Sequence, residues 1–180
     1  MSLRLMTARA GAVALLVGGG LMAAGGHLAG AIPRCTITGT AAPETINGTS
    51  GPDRICGLAG DDTINGYHGD DTLFGDDGND SLDGGFGNDS IVGGRGNDSE
   101  FGSFGTDTLK GNHGADAPLM GGKGADSIVG GVGADALRGG FGADNLDSVD
   151  GTPIDTVDGA DGIDTCTADV GDTVTNCEGP

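Results

Sequence analysis

A nine-residue period governs this chain and leaves few folds open to it. Written in nines from Gly57, the sequence reads GLAGDDTIN, GYHGDDTLF, GDDGNDSLD, GGFGNDSIV, GGRGNDSEF and GSFGTDTLK. GNHGADAPL comes next, then a one-residue slip at Met120, then GGKGADSIV, GGVGADALR and GGFGADNLD. Read backwards, GTSGPDRIC begins at Gly48 and GTAAPETIN at Gly39, which makes twelve units between Gly39 and Asp147. Two decayed units follow, DGTPIDTVD from Asp150 and GADGIDTCT from Gly159. The fourth position is Gly in eleven of the twelve units (Ala42 is the exception), the sixth is Asp in eleven (Glu44 stands in), and the eighth is Ile or Leu in ten. A Gly-rich acidic chain is a candidate for disorder, but disorder has no use for one spacing held over about a hundred residues.

Each recurring position has a physical reading. An apolar eighth residue between small polar neighbours is a minimal strand, pointing out, in, out. Gly at positions one and four, and often at two, is expected to let the chain turn through positive φ. A unit then consists of a turn of about six residues and a strand of about three, as in a nonapeptide β-helix. Two units complete one coil, and coils stack at roughly 4.8 Å. The expected fold is all-β, a right-handed parallel solenoid with two nine-residue repeats per coil. Stacking would bring sixth-position carboxylates and free turn carbonyls together on each edge. A hard cation taking six to eight oxygens resolves both the repulsion and the missing hydrogen-bond donors. Ca²⁺ suits such a site better than Mg²⁺, which keeps its waters and a rigid octahedron.

Composition narrows the partners. The net charge is −19, Trp is absent, and the chain has one Tyr and five Phe. So few aromatics cannot build a thick core. Excess acid argues against nucleic acid and anionic membrane as partners and leaves cations as the natural ones. Residues 1–31 read as a signal peptide: Arg4 and Arg9 form a positive start, Ala10 to Ala24 is apolar, and Ala29-Gly30-Ala31 offers the small residues a signal peptidase reads. Cleavage after Ala31 removes two Arg and no acid, taking the charge from −19 to −21. The exported chain is expected to be secreted, with no membrane attachment after cleavage. It divides into an N-terminal cap (32–47), the repeat array (48–147), and degenerate repeats with a C-terminal cap (148–180).

Cys35, Cys56, Cys166 and Cys177 imply disulfides in an exported chain. Three pairings are open, and the local one, Cys35–Cys56 with Cys166–Cys177, is the simplest. A zinc site lacks both the CxxC spacing and a nearby His.

The units resemble the RTX, or haemolysin-type calcium-binding, repeat GGxGxDxUx, over about 110 residues. The resemblance implies a parallel β-roll that binds several Ca²⁺ ions through the sixth-position Asp and turn carbonyls of adjacent coils. The implied side-chain ligands are Asp53, Asp62, Asp71, Asp80, Asp89, Asp98, Asp107, Asp116, Asp126, Asp135 and Asp144, with Asp155 and Asp164 weaker candidates. The end segments around Cys35 and from Asp164 onward resemble those of small secreted bacterial proteins with this repeat, which supports the local disulfide pairing.

Some residues break the pattern. Glu100 occupies an inward eighth position, where a carboxylate is costly, so distortion is expected there. Pro118 also falls on an eighth position; the extra residue after Asp116 should turn Leu119 inward and Met120 outward. Two better-ordered blocks, 48–98 and 121–147, with a weaker middle follow from this. The fifth-position Asp61 and Asp70, like the nearby Asp76 and Asp77, are expected to raise the local field rather than coordinate.

No catalytic motif is present: there is no HExxH, no GxSxG and no Cys/His couple. His68 and His113 both sit at turn position three, where exposure is the simpler reading. The EF-hand loop is missing as well. The chain is therefore expected to be a non-catalytic Ca²⁺-binding protein that folds on binding. The alternative is an adhesin or surface-layer protein with an unknown cell-surface or protein partner. It would use outward residues such as Phe86, Phe104 and Phe141, which share one turn position.

Overall fold

A computed structural model describes residues 34–152 and 154–178. The expected signal peptide lies outside them. The described residues form sixteen strands, from β1 (Ile37–Thr38) to β16 (Thr173–Thr175), and no helix. Odd-numbered strands make one eight-stranded parallel sheet and even-numbered strands the other. Successive units therefore alternate between sheets, and two of them complete a coil. The pairing Ile55↔Leu73↔Ile91↔Leu109↔Ile128↔Leu146 aligns the eighth positions of one sheet, and Ile46↔Ile64↔Leu82 begins the same alignment in the other. This is the parallel solenoid anticipated from the period.

The strands are longer than anticipated. β4 (Thr63–His68) and β6 (Ser81–Phe86) each run six residues, from position seven of one unit through position three of the next. Only positions four to six remain for the turn. Along β4 the buried, inward-facing positions are Ile64 and Gly66. Position one is therefore an interior strand position. Its glycine does not adopt positive φ; that conformation belongs to position four (Gly69, Gly87, Gly105) and to position two. At position two even Tyr67, Asp76 and Ser103 adopt it. Position one needs glycine for space. A Cβ on Gly57 would lie 2.6 Å from Asp62 Oδ2 and 2.8 Å from the Gly75 carbonyl oxygen.

The core takes one apolar residue from each of twelve strands: Ile46, Ile55, Ile64, Leu73, Leu82, Ile91, Leu109, Leu119, Ile128, Leu137, Leu146 and Val157. Each fully buried Ile or Leu contributes about 1.5–3 kcal/mol. The filling is only one side chain deep, and Glu100 interrupts it in one sheet.

The middle, expected to be irregular, is regular. β8 (Ser99–Phe104) keeps the six-residue length and the alternation of its neighbours. Glu100 points inward, fully buried, in register between Leu82 and Leu119. The expected distortion and the expected weak junction are both absent. Backbone ladder hydrogen bonding fixes the register whatever side chain faces in, and Gly93 N–H donates to Glu100 Oε1 at 2.7 Å. The extra residue before β10 (Leu119–Lys123) is absorbed in the connection, with Leu119 buried and Met120 half-buried, as anticipated. The ladder also reaches beyond 48–147 at both ends. β2 (Thr45–Asn47) continues it from the segment read as the N-terminal cap, and β14 (Thr156–Gly162) and β15 (Thr165–Thr167) from the segment read as degenerate repeats with a C-terminal cap. Disulfides Cys35–Cys56 and Cys166–Cys177 close the two ends, with Cα atoms 6.0 and 5.9 Å apart.

Candidate metal centre

Each turn delivers its sixth-position Asp into the interior just before a strand begins. The Asp residues stack in two columns. In one, the N–H of Asp53 donates to Asp71 Oδ1, that of Asp71 to Asp89, that of Asp89 to Asp107, and so on through Asp126, Asp144 and Asp164. In the other, Glu44 donates to Asp62 Oδ1, followed by Asp80, Asp98, Asp116, Asp135 and Asp155. These bonds are 2.8–2.9 Å long. From Asp62 and Asp71 onward, each column carboxylate thus ties its turn to the preceding rung through one oxygen.

The second oxygen is left over. Oδ2 of Asp62, Asp71, Asp80, Asp89, Asp98, Asp107, Asp116, Asp126, Asp135, Asp144, Asp155 and Asp164 is buried and has no hydrogen-bond partner. These side chains are at most 3 % exposed. Leaving a buried acceptor unpaired costs about 1–3 kcal/mol, and more when it is charged. Adjacent ionised carboxylates one rung apart repel by about 3 kcal/mol at an effective dielectric near 20. Burial, reinforced by stacked carboxylates and opposed by the backbone hydrogen bond, raises the pKa values of the acids from Asp62 to Asp155. Asp98 and Asp107 are pushed up to about 7, and Asp80, Asp89 and Asp135 to about 6.

The turns add backbone oxygens. The position-four carbonyls point along the axis at the glycine of the next rung: a Cβ on Gly87 would overlap the Gly69 carbonyl oxygen, and one on Gly105 that of Gly87. No backbone amide among the described residues donates to the carbonyls of Gly69, Gly78, Gly87, Gly96 or Gly105. Fifth-position side chains support the same turns. Asp61 Oδ1 accepts from Asn79 N–H, Asn79 Oδ1 from Asn97 N–H, and Asn97 Oδ1 from Ala115 N–H; Asp70 and Asn88 do the same on the opposite edge. Among the described residues no three His, Cys, Asp or Glu side chains come together as a metal cage. Any hard cation here takes most of its oxygens from turn carbonyls. The orphaned Oδ2 atoms lie against the position-one glycines, the unused carbonyls stand at position four of the same units, and both are oxygen types that such an ion takes.

Of the anticipated ligands, ten from Asp62 to Asp144 share this environment. Asp53 differs: it is only partly buried, and its Oδ2 accepts from Thr49 N–H at 2.7 Å and from Thr49 Oγ1 at 2.9 Å. Asp155 and Asp164, weaker from sequence, sit in the columns like the rest. Sequence reasoning missed the ends. Asp172 Oδ1 accepts from Asp155 N–H at 3.1 Å and Glu178 Oε2 from Asp164 N–H at 2.8 Å, so each terminates one column. Their offsets of 17 and 14 residues fall outside the period, and no signal in the repeat could have marked them.

Two parallel sheets joined by carboxylate-lined turns define a metal-binding β-solenoid. The family model for the RTX calcium-binding nonapeptide repeat matches residues 38–73, 66–100, 101–117 and 119–148, and the chain belongs to that family of calcium-binding repeat proteins. No curated protein matches it. A solved structure of the AlgE6R3 subunit from the Azotobacter vinelandii mannuronan C5-epimerase is similar, at 26% identity and a TM-score of 0.26. The match covers 55% of this chain and 52% of that one, so the chain spans about half of that subunit's length.

Proposed function

We propose that this is a secreted, non-catalytic protein that binds several Ca²⁺ ions in its turns and folds as it does so. The observation that carries the reading is the pair of columns of buried, unpartnered Asp Oδ2 atoms. The ligand set is Asp62 through Asp144 at the sixth positions, extended by Asp155 and Asp164, together with position-four carbonyls. Asp53, satisfied by Thr49, contributes least. A bound Ca²⁺ supplies compensating charge and accepts the oxygens that lack donors. The chain does the rest: Oδ1 anchors each turn to the rung before it, position-one glycines make room for the carboxylates, and the thin apolar column aligns the strands. Without a cation, repulsion within the columns and the ordering entropy of so many glycines oppose the roll. Ion-binding free energy then becomes folding free energy.

Export is supported by the N-terminal segment and by two disulfides, which persist in oxidising compartments. The reading of no catalysis is supported by the lack of hydrolase motifs in the sequence and by two exposed histidines at strand ends, one of them stacked on Phe86. The test is calorimetric titration of the metal-stripped chain with Ca²⁺, followed in parallel by circular dichroism. The expected result is a coil-like spectrum in chelator that becomes β on saturation, with several ions bound. Full β-structure in excess chelator at neutral pH would overturn the coupling.

A further inference from the structure

Residues at position three of the even-numbered strands line one edge of the roll in the order His68, Phe86, Phe104, Lys123, Phe141. His68 stacks on Phe86 with centroids 4.9 Å apart, and Phe86 on Phe104 at 4.7 Å with planes 8° apart. The next rung has no ring. Lys123 stands there, its Nζ 4.8 Å from the Phe104 centroid, and Phe141 follows one rung further on, 59% exposed. We propose that the groove between Phe104 and Phe141 binds a small planar aromatic anion, an aryl carboxylate or sulfonate, whose ring takes the rung that Lys123 leaves without one.

The geometry suits a flat guest. Phe104 and Phe141 are two rungs apart, about 10 Å, so a ring midway lies about 4.8 Å from each. That matches the spacing at which Phe86 and Phe104 already stack. Gly122 and Gly140 form the floor, and having no side chains they leave a cavity of about 350 Å³ between the aromatic edge and the Met120–Arg138 column. A ring in that space gains two offset stacking contacts.

Charge selects the guest. The chain carries −19 overall, with eight basic residues. Two of these, Lys123 and Arg138, line this one groove. Arg138 is held only at 4.0 Å by Asp158, with both side chains partly exposed, so it is free to turn to a stronger anion. The Lys123 ammonium, displaced from the face of Phe104 by the incoming ring, exchanges a cation–π contact for a salt bridge to the guest. A neutral ring forgoes that exchange, and a saturated anion forgoes the stacking.

The test uses the full chain in saturating Ca²⁺, with circular dichroism in the same buffer to verify the roll. 2-Naphthoate is titrated by calorimetry against 2-naphthol and cyclohexanecarboxylate. One saturable site for naphthoate is expected, with the other two compounds about tenfold weaker or more. Phe141→Leu should weaken naphthoate about tenfold, Lys123→Gln should bring it to the level of naphthol, and His68→Ala should leave it unchanged. Failure of the folded chain to bind naphthoate saturably would overturn the proposal. So would equal binding of naphthol, or a loss in His68→Ala as large as that in Phe141→Leu. Because the spectrum reports the Ca²⁺-dependent fold separately, each of these outcomes counts against the groove alone.

Discussion

Gly66 and Gly51 are both repeat glycines, and they should respond oppositely to one added methyl group. A Cβ on Gly66 would meet the Asp71 carboxylate and lie 2.6 Å from the Gly84 carbonyl oxygen, whereas nothing lies within 4 Å of one on Gly51. Gly66→Ala is expected to lower stability by about 1–3 kcal/mol, as overpacking does, and to weaken Ca²⁺ binding. Gly51→Ala should stay within about 0.5 kcal/mol. Chemical denaturation in saturating Ca²⁺ checks both. Glu100 offers a contrasting case. Its Oε2 is buried and unpartnered among Leu side chains, and burial pushes its carboxyl well above the ordinary range. Glu100→Leu, which continues the column of Leu82 and Leu119, is expected to raise stability by about 1–4 kcal/mol. The gain should be larger at pH 8 than at pH 5, because the buried acid costs most when ionised. Equal melting of variant and parent at both pH values would refute this. The sequence marked Glu100 as anomalous, yet the response of the fold could not be read from it. Whether a strand bends round one bad residue depends on the ladder bonds of both neighbouring strands. The role of Gly66 was likewise hidden, since its crowding comes from Asp71 and from a carbonyl eighteen residues away.

The turn is the element whose chemistry the repeat announced best. Gly at four and Asp at six were legible because every unit needs them for the same local reason, and all ten aspartates from Asp62 to Asp144 occupy equivalent places. Strand length was less legible. Glycines at positions one and two look like turn residues in a single sequence, but six-residue strands run straight through them. Which carboxylate closes each column was not legible at all, because Asp172 and Glu178 lie off the period. The closing elements carry their own prediction. Opening the C-terminal disulfide by Cys166→Ser with Cys177→Ser releases an 11-residue separation and should cost about 2–3 kcal/mol in saturating Ca²⁺. A melting temperature unchanged from the parent would show that the last rungs do not depend on that link.

At the scale of the whole molecule, protonation can do part of what a cation does. The column acids from Asp62 to Asp155 have folded-state pKa values raised from 3.8, to about 7 for Asp98 and Asp107 and about 6 for Asp80, Asp89 and Asp135. Between these limits the folded state holds more protons than the unfolded one, so stability falls as pH rises. In chelator, β-structure should therefore appear on acidification from pH 8 to 5 and disappear as pH rises through about 6 to 7. Circular dichroism against pH in chelator checks this, and a flat profile would contradict the assignment of the columns as the source of instability. The parallel solenoid itself was readable from the sequence, since a period of nine repeated a dozen times admits little else. The aromatic edge was only half readable, because three phenylalanines at the third position look like turn residues in sequence, whereas they stand on the strands of one sheet. They do so because units alternate between sheets, and that alternation restricts how such a gene can lengthen or shorten. Duplicating a single unit after Phe86 would send Phe104, Lys123 and Phe141 to the opposite edge, away from Phe86, and break the aromatic stack. Only even numbers of units can be gained or lost with both faces intact, so inheritance of this surface has a parity, and its smallest neutral step is one full coil.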